Sequence, residues 1–150
     1  MLRKILWHGL LAGVLTGVVM GFVLKAVESF TDVKVYTLLL NVDFVPFLPQ
    51  PLPEWIEFGL HLIVSVMIAI VYLFLLNRFT VVAKRPILFG LIAGCFAIPT
   101  FIPLTLLSER TPAIDDMAAL FWWVVGHLLY GWLLGGYGRL LTKKQLTSSQ

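Results

Sequence analysis

Residues 5–27 of this chain read ILWHGLLAGVLTGVVMGFVLKAV, a nearly unbroken apolar run. It contains one Lys or Arg, Lys25, and no acid. A helix that rises about 1.5 Å per residue needs roughly 20 apolar residues to cross about 30 Å of hydrocarbon. The stretch therefore predicts a transmembrane helix rather than a helix of a soluble core.

Three further apolar runs of similar length follow, at about 55–76, 86–107 and 117–141. The whole chain is 59% hydrophobic and only 13% charged, with a mean hydropathy of +0.94. A soluble domain of this size has too little interior for so much apolar surface. The sequence thus predicts an all-α polytopic membrane protein, a single four-helix domain over residues 1–150 with one long external loop at 28–54.

Basic residues indicate the orientation of the four predicted spans. Eight of them fall on one side, namely Arg3, Lys4, Arg78, Lys84, Arg85, Arg139, Lys143 and Lys144. The other side has three bases and all eight acids, which leaves −5 there against +8 opposite. Because cytoplasmic loops carry the excess of Lys and Arg, both termini are predicted to be cytoplasmic, in a bacterial inner membrane. The lipid bilayer is the expected partner of the basic face, and nucleic acid is not.

The predicted external loop is unusually apolar and rich in proline between Phe44 and Pro53. Two structures fit this composition. One is an extended, polyproline-like strip on the membrane surface. The other is a lid packed over the helix bundle, which is the commoner behaviour of loops of this length.

Short echoes between the two halves suggest an internal duplication. GLLAG at 9–13 opens the first span and GLIAG at 90–94 opens the third, while GLHL at 59–62 matches VGHL at 125–128. Two helical hairpins in parallel orientation would produce this pattern, as in some transporters. Chance similarity between apolar segments is the alternative.

Glycines recur at every fourth position of the first span: Gly9, Gly13, Gly17 and Gly21. This spacing places all four on one stripe of the helix, where small residues let a second backbone approach closely. The stripe is expected either to pack within the monomer or to form the seam of a homo-oligomer.

Two histidines, His61 and His127, lie inside predicted spans. Ionisable side chains in a membrane are costly and raise a functional hypothesis by default. Glu57 and Ser65 stand four residues to either side of His61, so these three share one helix face. Glu57, His61, Ser65 and His127 are therefore the candidate polar site, for a proton relay or a shallow cation site. The alternative is a neutral histidine bonded across helices.

Other chemistry is not indicated by the sequence. Two histidines and scattered carboxylates lack zinc-ligand spacing, and there is no nucleophile with its base and no phosphate-binding loop. We therefore expect no catalytic residues, no metal, no cofactor and no enzyme activity. Pro99 and Pro103 interrupt the third span and predict a kink there.

Several of these motifs together resemble the YagU-type inner-membrane proteins. They are GLIAG at 90–94, Pro99, Pro103, Thr111-Pro112 and Gly126-His127, with Gly9 to Gly13 and the second-span histidine similar in layout. The resemblance implies a bacterial four-helix inner-membrane protein of a family without an established activity. Its external loop looks different from that family's.

The sequence is consistent with two functions. The first is a small non-enzymatic bundle that oligomerises or binds a membrane partner, as the glycine stripe and the apolar loop suggest. The second is a small transporter or channel, proton- or cation-linked, that uses the intramembrane histidines.

Overall fold

The computed structural model describes residues 2–43, 45 and 52–147, with side chains as far as Lys143. Every regular element in these ranges is a helix. The α-helices are α1 (Leu2–Thr31), α2 (Val35–Leu39), α3 (Glu54–Arg78), α4 (Thr80–Lys84), α5 (Pro86–Cys95), α6 (Phe101–Leu106) and α7 (Met117–Thr147), and a 3₁₀ turn at Ile98–Thr100 lies between α5 and α6.

Four helical segments are long and apolar enough to cross a membrane, which confirms the predicted all-α class and the predicted number of candidate spans. They are Leu2–Thr31, Glu54–Arg78, Pro86–Leu106 and Met117–Lys143. Large apolar side chains cover the outside of the bundle, among them Phe22 at 65% exposed and Trp132 at 55%. Exposing such an apolar surface is unfavourable in water but not in hydrocarbon.

The third span is broken into two helices, which the sequence predicted only as a kink. α5 ends at Cys95, four residues before Pro99. A proline ring collides with the carbonyl four residues earlier and offers no N–H, so an α-helix cannot run through Pro99 undisturbed. Pro103 does not bend the chain further, because it lies in the first turn of α6, where its N–H is not needed.

Part of the predicted external loop forms a packed lid. α1 continues to Thr31, and Asp32 adopts a left-handed backbone with φ 59°, which ends the helix. α2 then turns back over the bundle with Leu38 and Leu39 buried. The proline-rich strip falls largely on Phe44 and residues 46–51, outside the described residues, so the polyproline prediction stays untested.

The glycine stripe of α1 packs against α3. A Cβ added at Gly13 would collide with the Val66 backbone, and one at Gly17 would lie 2.7 Å from Ser65 Oγ. Gly9 and Gly21 are covered in the same way by Ile70 and Phe58 of α3. The intramolecular alternative of the sequence analysis therefore accounts for this stripe, and self-association stays a prediction.

A second pair of helices, α5 and α7, makes an equally close contact. A Cβ at Gly90 would lie 2.5 Å from both Gly131 O and Gly135 N, and one at Gly131 would lie 2.6 Å from Gly90 O. The bundle thus consists of two tight pairs, α1 with α3 and α5 with α7, joined chiefly by packing of α1 on α7.

Close packing at Gly13 should make this position intolerant of even one added carbon. We expect Gly13→Ala to lower the free energy of unfolding by about 1–3 kcal/mol, because the Val66 backbone cannot move aside easily. Gly59→Ala is the matched control, since nothing lies within 4 Å of a Cβ there and helix propensity favours alanine. Unfolding in mixed micelles measures both, and equal stability of the two variants would contradict the packing.

Candidate functional site

A cavity of about 250 Å³ lies in the half of the bundle that carries α2. It is bordered by the described parts of five segments: α1, the chain from α2 onward, α3, the broken third span and α7. The lining residues are Met20, Leu39, Asn41, Val42, Leu60, His61, Val64, Ser65, Ile68, Ala97, Thr100, Leu104, Trp123, His127 and Tyr130.

The open side of the cavity lies between α3 and the broken third span. Val64 of α3 and Thr100 of the 3₁₀ turn both line it and are both exposed at the surface of the bundle. α1 and α7 form the back wall, and Leu39 and Asn41 roof it while being buried themselves. Both rim residues lie in segments that are long and apolar enough to cross a membrane, so in a bilayer this opening would face hydrocarbon.

His127 is a buried side chain of α7 with a defined hydrogen bond. Its Nδ1 lies 2.8 Å from the carbonyl oxygen of Trp123, one turn earlier. A carbonyl only accepts, so Nδ1 carries the proton, and in the neutral ring Nε2 is a bare acceptor. The indole of Trp123 flanks the imidazole at a centroid distance of 4.3 Å and donates from Nε1 to Ile98 O (3.3 Å). The ring orientation is therefore fixed by its own helix and by the broken span.

His61 of α3 has a buried Nε2 without a hydrogen-bond partner among the described residues. The Gly17 carbonyl approaches the ring, but not with hydrogen-bond geometry at Nε2. A buried polar atom left unsatisfied costs about 1–3 kcal/mol. This cost makes His61 the most unusual polar group of the cavity.

The other polar side chains of the lining are already engaged with backbone carbonyls. Ser65 Oγ donates to Gly13 O (2.7 Å), Tyr130 Oη to Ser65 O (2.9 Å), Thr100 Oγ1 to Ala97 O (2.6 Å) and Asn41 Nδ2 to Leu104 O (2.8 Å). Each of these side chains thus already has a protein partner, whereas Nε2 of His61 has none among the described residues.

Glu57, the fourth residue of the predicted polar site, lies apart from the cavity. Its carboxylate is 2.9 Å from Arg110 Nη2, although only 5% of Glu57 is exposed. Arg110 also binds Asp43 through Nε (3.0 Å) and Nη2 (2.6 Å). We call Arg110, Asp43 and Glu57 the outer clasp. It ties the chain after α2 to α3, so Glu57 is an anchor of the roof.

Charges in the clasp reinforce each other. The Arg110 guanidinium, helped by the Ser108 hydroxyl, holds the pKa of Asp43 below its ordinary value against the effect of burial. The same hydrogen bond from Asp43 raises the pKa of Arg110, so both remain charged. Next to the clasp, Glu28 accepts from the backbone N–H groups of Tyr36 (2.7 Å) and Thr37 (2.8 Å) and fixes the start of α2.

The structure brings together three of the four predicted site residues. His61, Ser65 and His127 border one cavity, and Glu57 does not. Sequence reasoning did not select Arg110, Asn41, Trp123 or Tyr130. Only Arg110 had a signal in the sequence, as a single base in a stretch that also contains Glu109, Asp115 and Asp116. The other three residues line the cavity because of how helices from distant parts of the chain meet.

Side chains that could ligate a metal are scattered in the described part of the chain. No group of three or more His, Cys, Asp or Glu side chains able to hold a metal occurs among the described residues. The two imidazoles of the cavity are too few to form a tetrahedral zinc site on their own.

Comparison with known proteins gave no match to any family model, curated protein or solved structure. The resemblance to YagU-type proteins therefore stays an expectation.

Loss of Arg110 should weaken the roof of the cavity. Arg110→Gln leaves Glu57 buried without a partner, and we expect the free energy of unfolding to fall by about 1–2 kcal/mol, less than for a fully buried pair because Arg110 retains water. Lys25→Gln is the control, since the Lys25–Glu54 pair (2.5 Å) is exposed on both sides and should contribute under about 1 kcal/mol. Unfolding in micelles compares them, and equal losses would refute the anchoring role.

Proposed function

We propose that this protein is a small, non-enzymatic, multi-pass protein of a bacterial inner membrane that acts by binding a membrane-soluble partner molecule in its cavity. One observation carries the proposal: His61 and His127, from two different spans, border the same cavity, and Nε2 of His61 is left without a partner. A bound molecule would satisfy that atom.

The lateral position of the opening supports binding from the bilayer. A molecule dissolved in lipid would enter between α3 and the broken span, past Val64 and Thr100. The third span is not a continuous α-helix there, because a 3₁₀ turn at Ile98–Thr100 separates α5 from α6, and both Ala97 and Thr100 line the cavity. Small-molecule sites are typically apolar clefts with a few fixed polar groups, which describes this cavity.

The proposed orientation places both termini and the α3–α5 connection in the cytoplasm. The bases Arg78, Lys84 and Arg85 lie at that connection, and Arg3 and Lys4 start α1. The cavity would then lie in the outer half of the membrane. The two glycine-bearing helix pairs also fit the proposed duplication, since Gly9–Gly13 and Gly90–Gly94 occupy the first helix of each pair.

A transporter or channel is the second candidate, favoured by the meeting of the two histidines. It would also need a path toward the cytoplasmic face. The lining of the cavity reaches no deeper than Ile68 and Tyr130, and the Tyr130 hydroxyl bridges to Ser65 O at that depth. Binding is therefore the better-supported function, and the engaged hydroxyls of the lining favour a non-enzymatic role.

Filling the cavity should abolish binding without unfolding the protein. We expect native mass spectrometry of the wild type, extracted in mild detergent, to show a bound small molecule, and Ala97→Phe to lose it because the added ring occupies the cavity. Ala118→Phe is the matched control, since Ala118 is exposed in the first turn of α7. A wild type without any bound species, or the same species on Ala97→Phe, would contradict the proposal.

A further inference from the structure

The chemistry of the cavity narrows the class of molecule that it would hold. We propose that the occupant is a neutral amphiphile whose head is a hydroxylated ring, seated between His61 and His127, with an apolar tail that leaves through the lateral opening into the bilayer. This inference rests on the proposed function, because it assigns the ligand class of the same cavity.

Charge is the first constraint on the ligand. No Asp, Glu, Lys or Arg lines the cavity among the described residues, and the charged residues of the outer clasp lie outside its lining. A charged head would lose its hydration without gaining a counter-charge, which is costly in a membrane interior. The ligand head is therefore neutral.

Hydrogen bonding is the second constraint. His127 Nε2 is an acceptor when Nδ1 donates to Trp123 O, and no donor within the described residues is paired with it. His61 Nε2 lacks a partner whichever tautomer it adopts. A hydroxyl has one donor and two acceptor positions, so one such group donates to His127 Nε2 and accepts from His61 Nε2, provided that this nitrogen carries the His61 ring proton. A pure hydrocarbon would leave both nitrogens unsatisfied.

Size and shape are the third constraint. An apolar cavity of about 150 Å³ is enough to bind benzene, so 250 Å³ accommodates a substituted ring. It is smaller than the roughly 300–1,000 Å³ of pockets for whole drug-sized molecules. A lipid-soluble molecule with a long tail therefore fits only if the tail lies outside, past Val64 and Thr100. Trp123, fixed beside His127, offers an aromatic surface to the ring.

The test measures partitioning of three radiolabelled probes between empty nanodiscs and nanodiscs that contain the full-length protein. The probes are 4-octylphenol, octylbenzene, which lacks the hydroxyl, and 4-octylbenzoate, which is an anion. We expect saturable, equimolar binding of 4-octylphenol, with octylbenzene at least about tenfold weaker because it makes no hydrogen bond. The benzoate should show no saturable binding.

Variants assign the hydrogen bonds. His127→Phe and His61→Phe should each lower the affinity for 4-octylphenol about tenfold. The affinity for octylbenzene should change less than about twofold in both variants, which shows that the cavity is intact. His8→Phe is the control, because His8 bonds Tyr137 (2.9 Å) and does not line the cavity. Its affinity for 4-octylphenol should equal that of the wild type.

The outcomes separate the two proposals. Equal affinity for 4-octylphenol and octylbenzene, or tighter binding of the benzoate, would overturn the hydroxylated-ring inference and leave the cavity as a binding site. Undiminished phenol binding in both histidine variants would overturn the inference as well. If the wild type binds none of the probes saturably, this inference is wrong. The proposed function is then decided by whether native mass spectrometry detects a bound small molecule.

Discussion

Close contact between helix backbones holds this bundle together, because apolar surface gains little by moving from lipid into a protein interior. Glycines make that contact possible in both helix pairs. Val66 of α3 lies against Gly13, and the α5 and α7 backbones meet at Gly90 and Gly131. Dispersion between closely approaching backbones then replaces the hydrophobic effect of soluble proteins. Every other feature of the molecule depends on where these two contacts place the helices.

The cavity follows from that arrangement. α3 packs mainly against α1, and α5 packs mainly against α7. α3 and the third span therefore meet mainly at one end, where the Tyr72 hydroxyl donates to Pro86 O (2.9 Å). At the other end the break before Pro99 and the roof anchored by the outer clasp leave a space between them. Two imidazoles border it, and the unsatisfied nitrogen of His61 is a cost that the fold alone does not explain.

Much of this fold was predictable from the sequence, because the length of an apolar run and the spacing of glycines are local features of the chain. The four spans and the stripe from Gly9 to Gly21 needed no tertiary information. The site was only partly predictable. Helical spacing grouped Glu57 with His61, yet in the structure Glu57 accepts a hydrogen bond from Arg110, which is 53 residues away in the chain. Asn41 and Tyr130 line the cavity through contacts between distant segments, which no local pattern encodes.

Binding from the bilayer requires that hydrocarbon, rather than water, reach the histidines through the lateral opening. Photolabelling with a phenyl diazirine dissolved in the lipid tests it directly, with labelled residues located by peptide mass spectrometry. We expect label on His127 and Tyr130, although both are buried, and none on Leu134, which is equally buried on the same helix but does not line the cavity. Absence of label from His127, or its modification only by a water-borne reagent, would contradict access from the bilayer.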